Sequence, residues 1–138
     1  MKTQPQLVNS PVIFIADDDQ LDDQYLYRQA FSEACPTAVL YFFTQKAQLL
    51  DALRGDVYPE PSLLIMDWHM ALRKGYAALA VLAQTPAWQS IPVVIMATKQ
   101  RPVDEAKCQQ LGYELVLPKE TQYDKLVKQL AGLMHALV

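Results

Sequence analysis

The chain lacks most of the features that betray a partner or a compartment. Cys35 and Cys108 are its two cysteines, far apart in 138 residues, with no Cys-x-x-Cys and no metal-like spacing. That excludes a disulfide framework and a zinc site, and leaves two reduced, structural thiols. No apolar run approaches the roughly 20 residues of a membrane span. The opening stretch MKTQPQLVNSP is polar and lacks the apolar core of a signal peptide. There is no Lys/Arg block, and a net charge of −3 argues against nucleic acid or an anionic membrane as the main partner. Internal repeats, low-complexity segments and linkers to a second domain are missing too. The expectation is a cytoplasmic protein with a flexible N-terminal tail over residues 1–11 and a single domain over residues 12–138.

What is present reads as an ordinary globular composition, 51% hydrophobic and 20% charged, long enough for a real core. Short, continuously apolar runs recur: residues 12–16, 39–43, 63–67, 93–97 and 115–117. Bounded by turn formers, such runs read as strands buried on both faces, as in a parallel sheet. Between them lie stretches with helical patterning. The first runs from about Asp19 to Ala34, with Leu21, Tyr25, Leu26, Ala30 and Phe31 on its inner face, and Cys35-Pro36 ends it. Thr44 is placed to cap a helix reaching Leu53, with Gly55 just beyond. After Asp67 the sequence predicts a loop to Lys74 and a helix from Gly75 to Ala83. Pro102 suits the first turn of a helix ending before Gly112. Thr121 and Asp124 form a variant capping box for a last helix carrying Tyr123, Leu126, Val127, Leu130, Leu133, Met134 and Leu137. Five strand–helix repeats predict an α/β fold, a doubly wound parallel sheet with helices on both faces.

The strand ends carry the chemistry. In such sheets, ligands bind outside the carboxyl ends of the strands. Val12-Ile13-Phe14-Ile15-Ala16 runs into Asp17-Asp18-Asp19, and Leu63-Leu64-Ile65-Met66 runs into Asp67. Ala97, Thr98 and Lys119 end later strands. Asp17, Asp18 and Asp67 repel one another unless a cation intervenes. Oxygen-only ligands favour Mg²⁺ over zinc. Lys119 adds a positive charge suited to a phosphoryl group. Carboxylates, Mg²⁺ and a lysine form a set suited to phosphoryl transfer, with Asp67 attacking. The bland readings are loop and cap roles for Asp19, Asp22 and Asp23, a surface role for His135, partly exposed scaffold for Trp68 and a solvated side chain for Lys119.

At this point a resemblance is plain. The order Ile-Phe-Ile-Ala-Asp17-Asp18-Asp19, Leu-Leu-Ile-Met-Asp67-Trp-His-Met and Lys119 after the fifth strand resembles a receiver domain of two-component response regulators. It covers Val12 to Leu137 and is similar to the stand-alone type with an acid-rich first loop. The resemblance implies a flavodoxin-like (βα)5 fold with five helices and strand order 2-1-3-4-5. It implies Asp67 as phosphoacceptor, Asp18 as direct and Asp17 as water-mediated Mg²⁺ ligand, the His69 backbone carbonyl completing the metal site, and Lys119 pairing with the phosphoryl group. The first loop holds one residue more than the family pattern, which leaves the pairing of acids open by one.

Departures accompany it. Ala97 stands where the family has its switching Ser or Thr, and Thr98, one residue on, is the candidate substitute. Val116 replaces the aromatic switch residue. Pro118-Lys119-Glu120 reverses the family's Lys-Pro pair and removes its cis-proline. Ala71 replaces a proline after the phosphoacceptor loop. The leading expectation is a single-domain response regulator, a signalling domain rather than an enzyme, with Mg²⁺-dependent self-phosphorylation and dephosphorylation. It takes its phosphoryl group from a sensor histidine kinase or phosphotransfer protein and is read by a downstream protein target. The resemblance also leaves room for a homodimer through the last helix. A degenerate, phosphorylation-independent interaction module is the alternative. A small phosphohydrolase using Asp17 as nucleophile and Asp19 as acid/base ranks below both.

Overall fold

Apolar strands with no polar face can be buried only in a sheet covered on both sides, and the chain builds that arrangement. The structure is a computed structural model describing residues 10–17, 21–55, 57–97 and 103–138; the side chains at 21, 22, 69 and 71–77 are outside the description. In order, the elements are β1 (Val12–Ala16), α1 (Leu21–Ala34), β2 (Val39–Phe43), α2 (Lys46–Arg54), β3 (Leu63–Asp67), α3 (Trp68–Gln84), β4 (Val93–Ala97), α4 (Glu105–Leu111), β5 (Val116–Pro118) and α5 (Tyr123–Leu137). A 3-10 turn at Pro86–Trp88 precedes β4. All four strand pairs are parallel, in the order β2-β1-β3-β4-β5. This is the flavodoxin-like topology expected of the sequence.

Alternate residues of each strand face opposite layers. Phe14, Ala16, Leu64, Met66 and Ile95 pack under α2, α3 and α4, against Leu49, Leu79 and Cys108. Ile13, Ile15, Leu63, Ile65, Val94 and Met96 pack under α1 and α5, against Tyr27, Phe31, Leu126 and Leu130. Every residue of β3 is buried, as its position at the centre of the sheet requires. The expected apolar stripe of the last helix is in place, with Leu126, Leu130, Leu133 and Met134 buried.

Several local expectations are corrected. In α1 the buried stripe is Tyr27, Ala30 and Phe31, while Tyr25 is 68% exposed. The spacing i, i+3, i+4 fits the helical period when it starts at Tyr27. No loop separates Asp67 from the next helix. Residues 68–74 contain no proline and are rich in helix formers, so α3 starts at Trp68. Trp68 is buried, 2% exposed, within the layer under α2–α4. Gln45, not Thr44, occupies the cap position of α2, and Thr44 instead lies against Gln48. Gln122, not Thr121, precedes α5, again with no side-chain cap bond. In α4 Asp104 is the cap, its carboxylate accepting from the Lys107 N–H at 3.1 Å. Gly112 ends α4 at φ 92°, a left-handed conformation that suits glycine. β5 is shifted by one residue from the expected 115–117 to Val116–Pro118. Pro102, expected in the first turn of α4, lies outside the described residues.

Candidate functional site

Register assembles the site. Ala16 pairs with Met66 and Asp67 with Met96, so Asp17, one step past β1, comes beside Asp67. Ala97 pairs with Pro118, and the Lys119 N–H donates to the Ala97 carbonyl at 2.7 Å, extending the ladder one step. The Asp17 N–H likewise donates to the Phe43 carbonyl at 3.0 Å. Side-chain alternation then decides direction. Asp17 follows Ile13 and Ile15, Asp67 follows Leu63 and Ile65, and Lys119 follows Leu117, all on the α1/α5 side of the sheet. Three residues far apart in sequence thus face one another at the carboxyl ends of the strands.

Lys119 lies at the centre. Its Nζ donates to Asp17 Oδ2 at 3.0 Å and stands 3.6 Å from Asp67 Oδ1. It also forms an ion pair with Asp23 Oδ2. The cluster is mostly withdrawn from water: Asp17 is 4% and Asp67 6% exposed, and the Lys119 side chain 12%. Burial alone would push the ammonium toward its neutral form. The Asp23 ion pair and the Asp17 and Asp67 charges outweigh it and hold the Lys119 pKa above the ordinary lysine value. The reading of Lys119 as a solvated surface residue is therefore wrong.

Asp23 is the member of the cluster that the sequence did not single out. Its position in an acid-rich stretch predicts a loop or cap role, yet it sits in the first turn of α1 on the stripe that continues through Tyr27, Ala30 and Phe31. An acid on the inward stripe of a helix that starts beside a strand end was the available signal. The Tyr27 hydroxyl, one turn on, is raised above the usual phenol value by burial, partly opposed by Lys119. It stays neutral at the edge of the cluster. The Tyr123 hydroxyl donates to the Gln29 carbonyl at 3.0 Å, tying α5 to α1 and helping to fix the helix that carries Asp23.

The other expected residues are placed as follows. His69 is the second residue of α3, where a first-turn carbonyl is already an acceptor within the helix. Ala97 packs with the layer under α2–α4, on the side away from Asp67. Val116 is half-buried in that same layer. The described residues contain no cis peptide. Asp18, Asp19 and Thr98 lie outside the described residues. Cys35 and Cys108 are free thiols, and burial raises the Cys108 pKa, assisted by Asp104 and Glu105.

Among the described residues, no three His, Cys, Asp or Glu side chains form a ready metal cage. The donor set nonetheless fits a hard divalent cation: Asp17 and Asp67 offer two buried carboxylates from adjacent strand ends. A cavity of about 610 Å³ lies elsewhere, lined by Cys108, Tyr113, Glu114 and Val116, and includes none of these acids. No described helix is long and apolar enough to cross a membrane.

Comparison with known proteins agrees with this geometry. The response regulator receiver domain model matches residues 13–131. The fold is similar to the phosphorylated cyanobacterial phytochrome response regulator RcpA, with a TM-score of 0.78 and 20% identity over 93% of this chain and 94% of that one. It is similar to RPA3017, a response regulator in red light signalling of R. palustris, with a TM-score of 0.74 and 21% identity over 91% and 92% of the two chains. It is also similar to the Mn²⁺-bound form of response regulator Rcp1, with a TM-score of 0.73 and 23% identity over 89% and 91%. No curated protein matches the chain. With its five-stranded parallel sheet and its acids and lysine gathered at one edge, the chain belongs to the response regulator receiver domains, the divalent-metal-binding signalling domains of two-component systems.

Proposed function

We propose that Asp67 accepts a phosphoryl group from a sensor histidine kinase or a phosphotransfer protein, and that the modified surface is read by a downstream protein. The observation that carries this reading is the convergence of Asp67, Asp17 and Lys119 on one side of the strand ends, with Asp67 buried yet beside a cation. In the transfer, an Asp67 carboxylate oxygen bonds to phosphorus. The bond from phosphorus to the donor nitrogen breaks, and its electron pair leaves with the donor. Lys119 would pair with the phosphoryl oxygens, which gain a partner already held in place by its backbone bond to Ala97. Asp17 and Asp67, with Asp18, would hold Mg²⁺, and the His69 carbonyl would join them if the first turn of α3 opens. When bound, the ion would supply charge neutralisation on the transferred oxygens. Thr98, the residue after Ala97, would be the candidate hydroxyl in its place. The donor would meet the domain in the cytoplasm. We see no nucleic-acid or membrane role, and a homodimer remains part of the proposal.

A specific observation favours a second reading, the phosphorylation-independent module. Ala97 has no hydroxyl and packs away from Asp67, and Val116 has no aromatic ring to swing.

Intact mass after incubation with a small-molecule phosphodonor separates the two. One Mg²⁺-dependent phosphoryl adduct, absent in Asp67→Ala, is the expected result. No adduct despite Mg²⁺ binding would favour the module, and neither adduct nor binding would sink both the metal site and the acceptor.

A further inference from the structure

The three N–H bonds of the Lys119 ammonium face three carboxylates. Asp17 is at hydrogen-bond distance, Asp23 is in closer contact, and Asp67 at 3.6 Å is just outside. Asp17 and Asp67 come from the sheet. Asp23 comes from a helix and has the most exposed side chain of the three, at 18%. The resting ammonium thus contacts all three acids, with Asp67 the farthest.

From this geometry we propose that Asp23 is a positioning residue that holds Lys119 in the resting state and competes with the phosphoryl group for it. The inference rests on the phosphoacceptor reading and names a control built into that site. Two effects have the same sign. A phosphoryl group on Asp67 can claim Lys119 only by weakening the Lys119–Asp23 pair. It also replaces one negative charge by about two, which Asp23 then repels. Both make Asp23 a brake on the phosphorylated state. Asn at this position keeps the shape and removes the charge, so it lifts both penalties.

The test is a titration of full-length protein with beryllofluoride, a phosphoryl mimic, read by Trp68 fluorescence and repeated by calorimetry. Each variant is first titrated with Mg²⁺ alone and then held at its own saturating Mg²⁺. Asp23→Asn is expected to bind beryllofluoride about tenfold more tightly than the parent, with Asp23→Ser changed in the same direction. Asp23→Glu, which keeps the charge, is expected to remain near the parent. A purely structural role would weaken or leave unchanged the mimic's affinity in all three. Unchanged or weaker binding in folded Asp23→Asn and Asp23→Ser overturns the proposal. So does a loss of Mg²⁺ affinity beyond about tenfold, which would make Asp23 a metal ligand instead. A parent protein that binds no beryllofluoride overturns the phosphoacceptor reading itself, and this proposal with it.

Discussion

Replacing Lys119 by Met keeps the length of the stem and takes the ammonium away from Asp17, Asp23 and Asp67. Removing one partner of a buried pair is costly because the remaining charges stay desolvated. Lys119→Met is expected to lose about 2–4 kcal/mol in urea denaturation at pH 7 without metal. Added Mg²⁺ should narrow the gap, since it relieves the repulsion; a variant indifferent to Mg²⁺ would show that the acids do not interact. In the parent the lysine value is raised, so its contribution is fully present below the ordinary value of 10.5 and fades only as pH rises through the folded value. Near neutral pH Lys119 therefore stays charged. Much of this site was legible beforehand. Asp17, Asp67 and Lys119 each follow an apolar run, and the run itself fixes where a strand ends. Asp23 was not, because its role depends on which face of α1 meets the sheet, and Tyr25, two residues before Tyr27, lies on the opposite, exposed face.

Helix ends separate local chemistry from tertiary context. Asp104 caps α4 with a bond to the Lys107 N–H, while α5 starts after Gln122 without one, although Thr121 is nearby. Asp104→Ala is expected to cost about 1 kcal/mol, and Thr121→Ala to stay within about 0.5 kcal/mol. Thermal melts of the two variants check this; equal losses would mean that Thr121 does cap. Four strands, 12–16, 39–43, 63–67 and 93–97, lie where their apolar runs placed them. Strand bounds follow burial, which composition records. Cap residues follow the entry angle of the chain, which composition does not. The start of α3 is an intermediate case: the absence of proline at Ala71 was visible, but its consequence, a helix beginning directly at Trp68, needs the packing of Trp68 under α2–α4.

At the scale of the molecule, the two cores share one sheet. β1, β3 and β4 supply alternate side chains to both layers, so neither layer can lose its packing while the other keeps its floor. Leu49→Ala in one layer and Leu130→Ala in the other, both fully buried residues, are each expected to cost about 2–5 kcal/mol. Each should shift a single transition, with tryptophan fluorescence and far-UV circular dichroism coincident. Separate transitions would show that the layers unfold independently. The layered fold was readable because alternation of strand and helix leaves few topologies.

The sheet has two edges, and they are unlike. β5 is three residues long and ends in Pro118, which has no N–H to offer a neighbouring strand. β2 is five residues of Val, Leu, Tyr and Phe with neither charge nor proline, and Val39 at its start is 41% exposed. Arg28 stacks over Phe42 at 4.7 Å and places a charge beside that edge. Any tendency of this domain to recruit a foreign strand, whether in a crowded cell or in a concentrated stock, is therefore concentrated on one side of the sheet, where Arg28 stands guard.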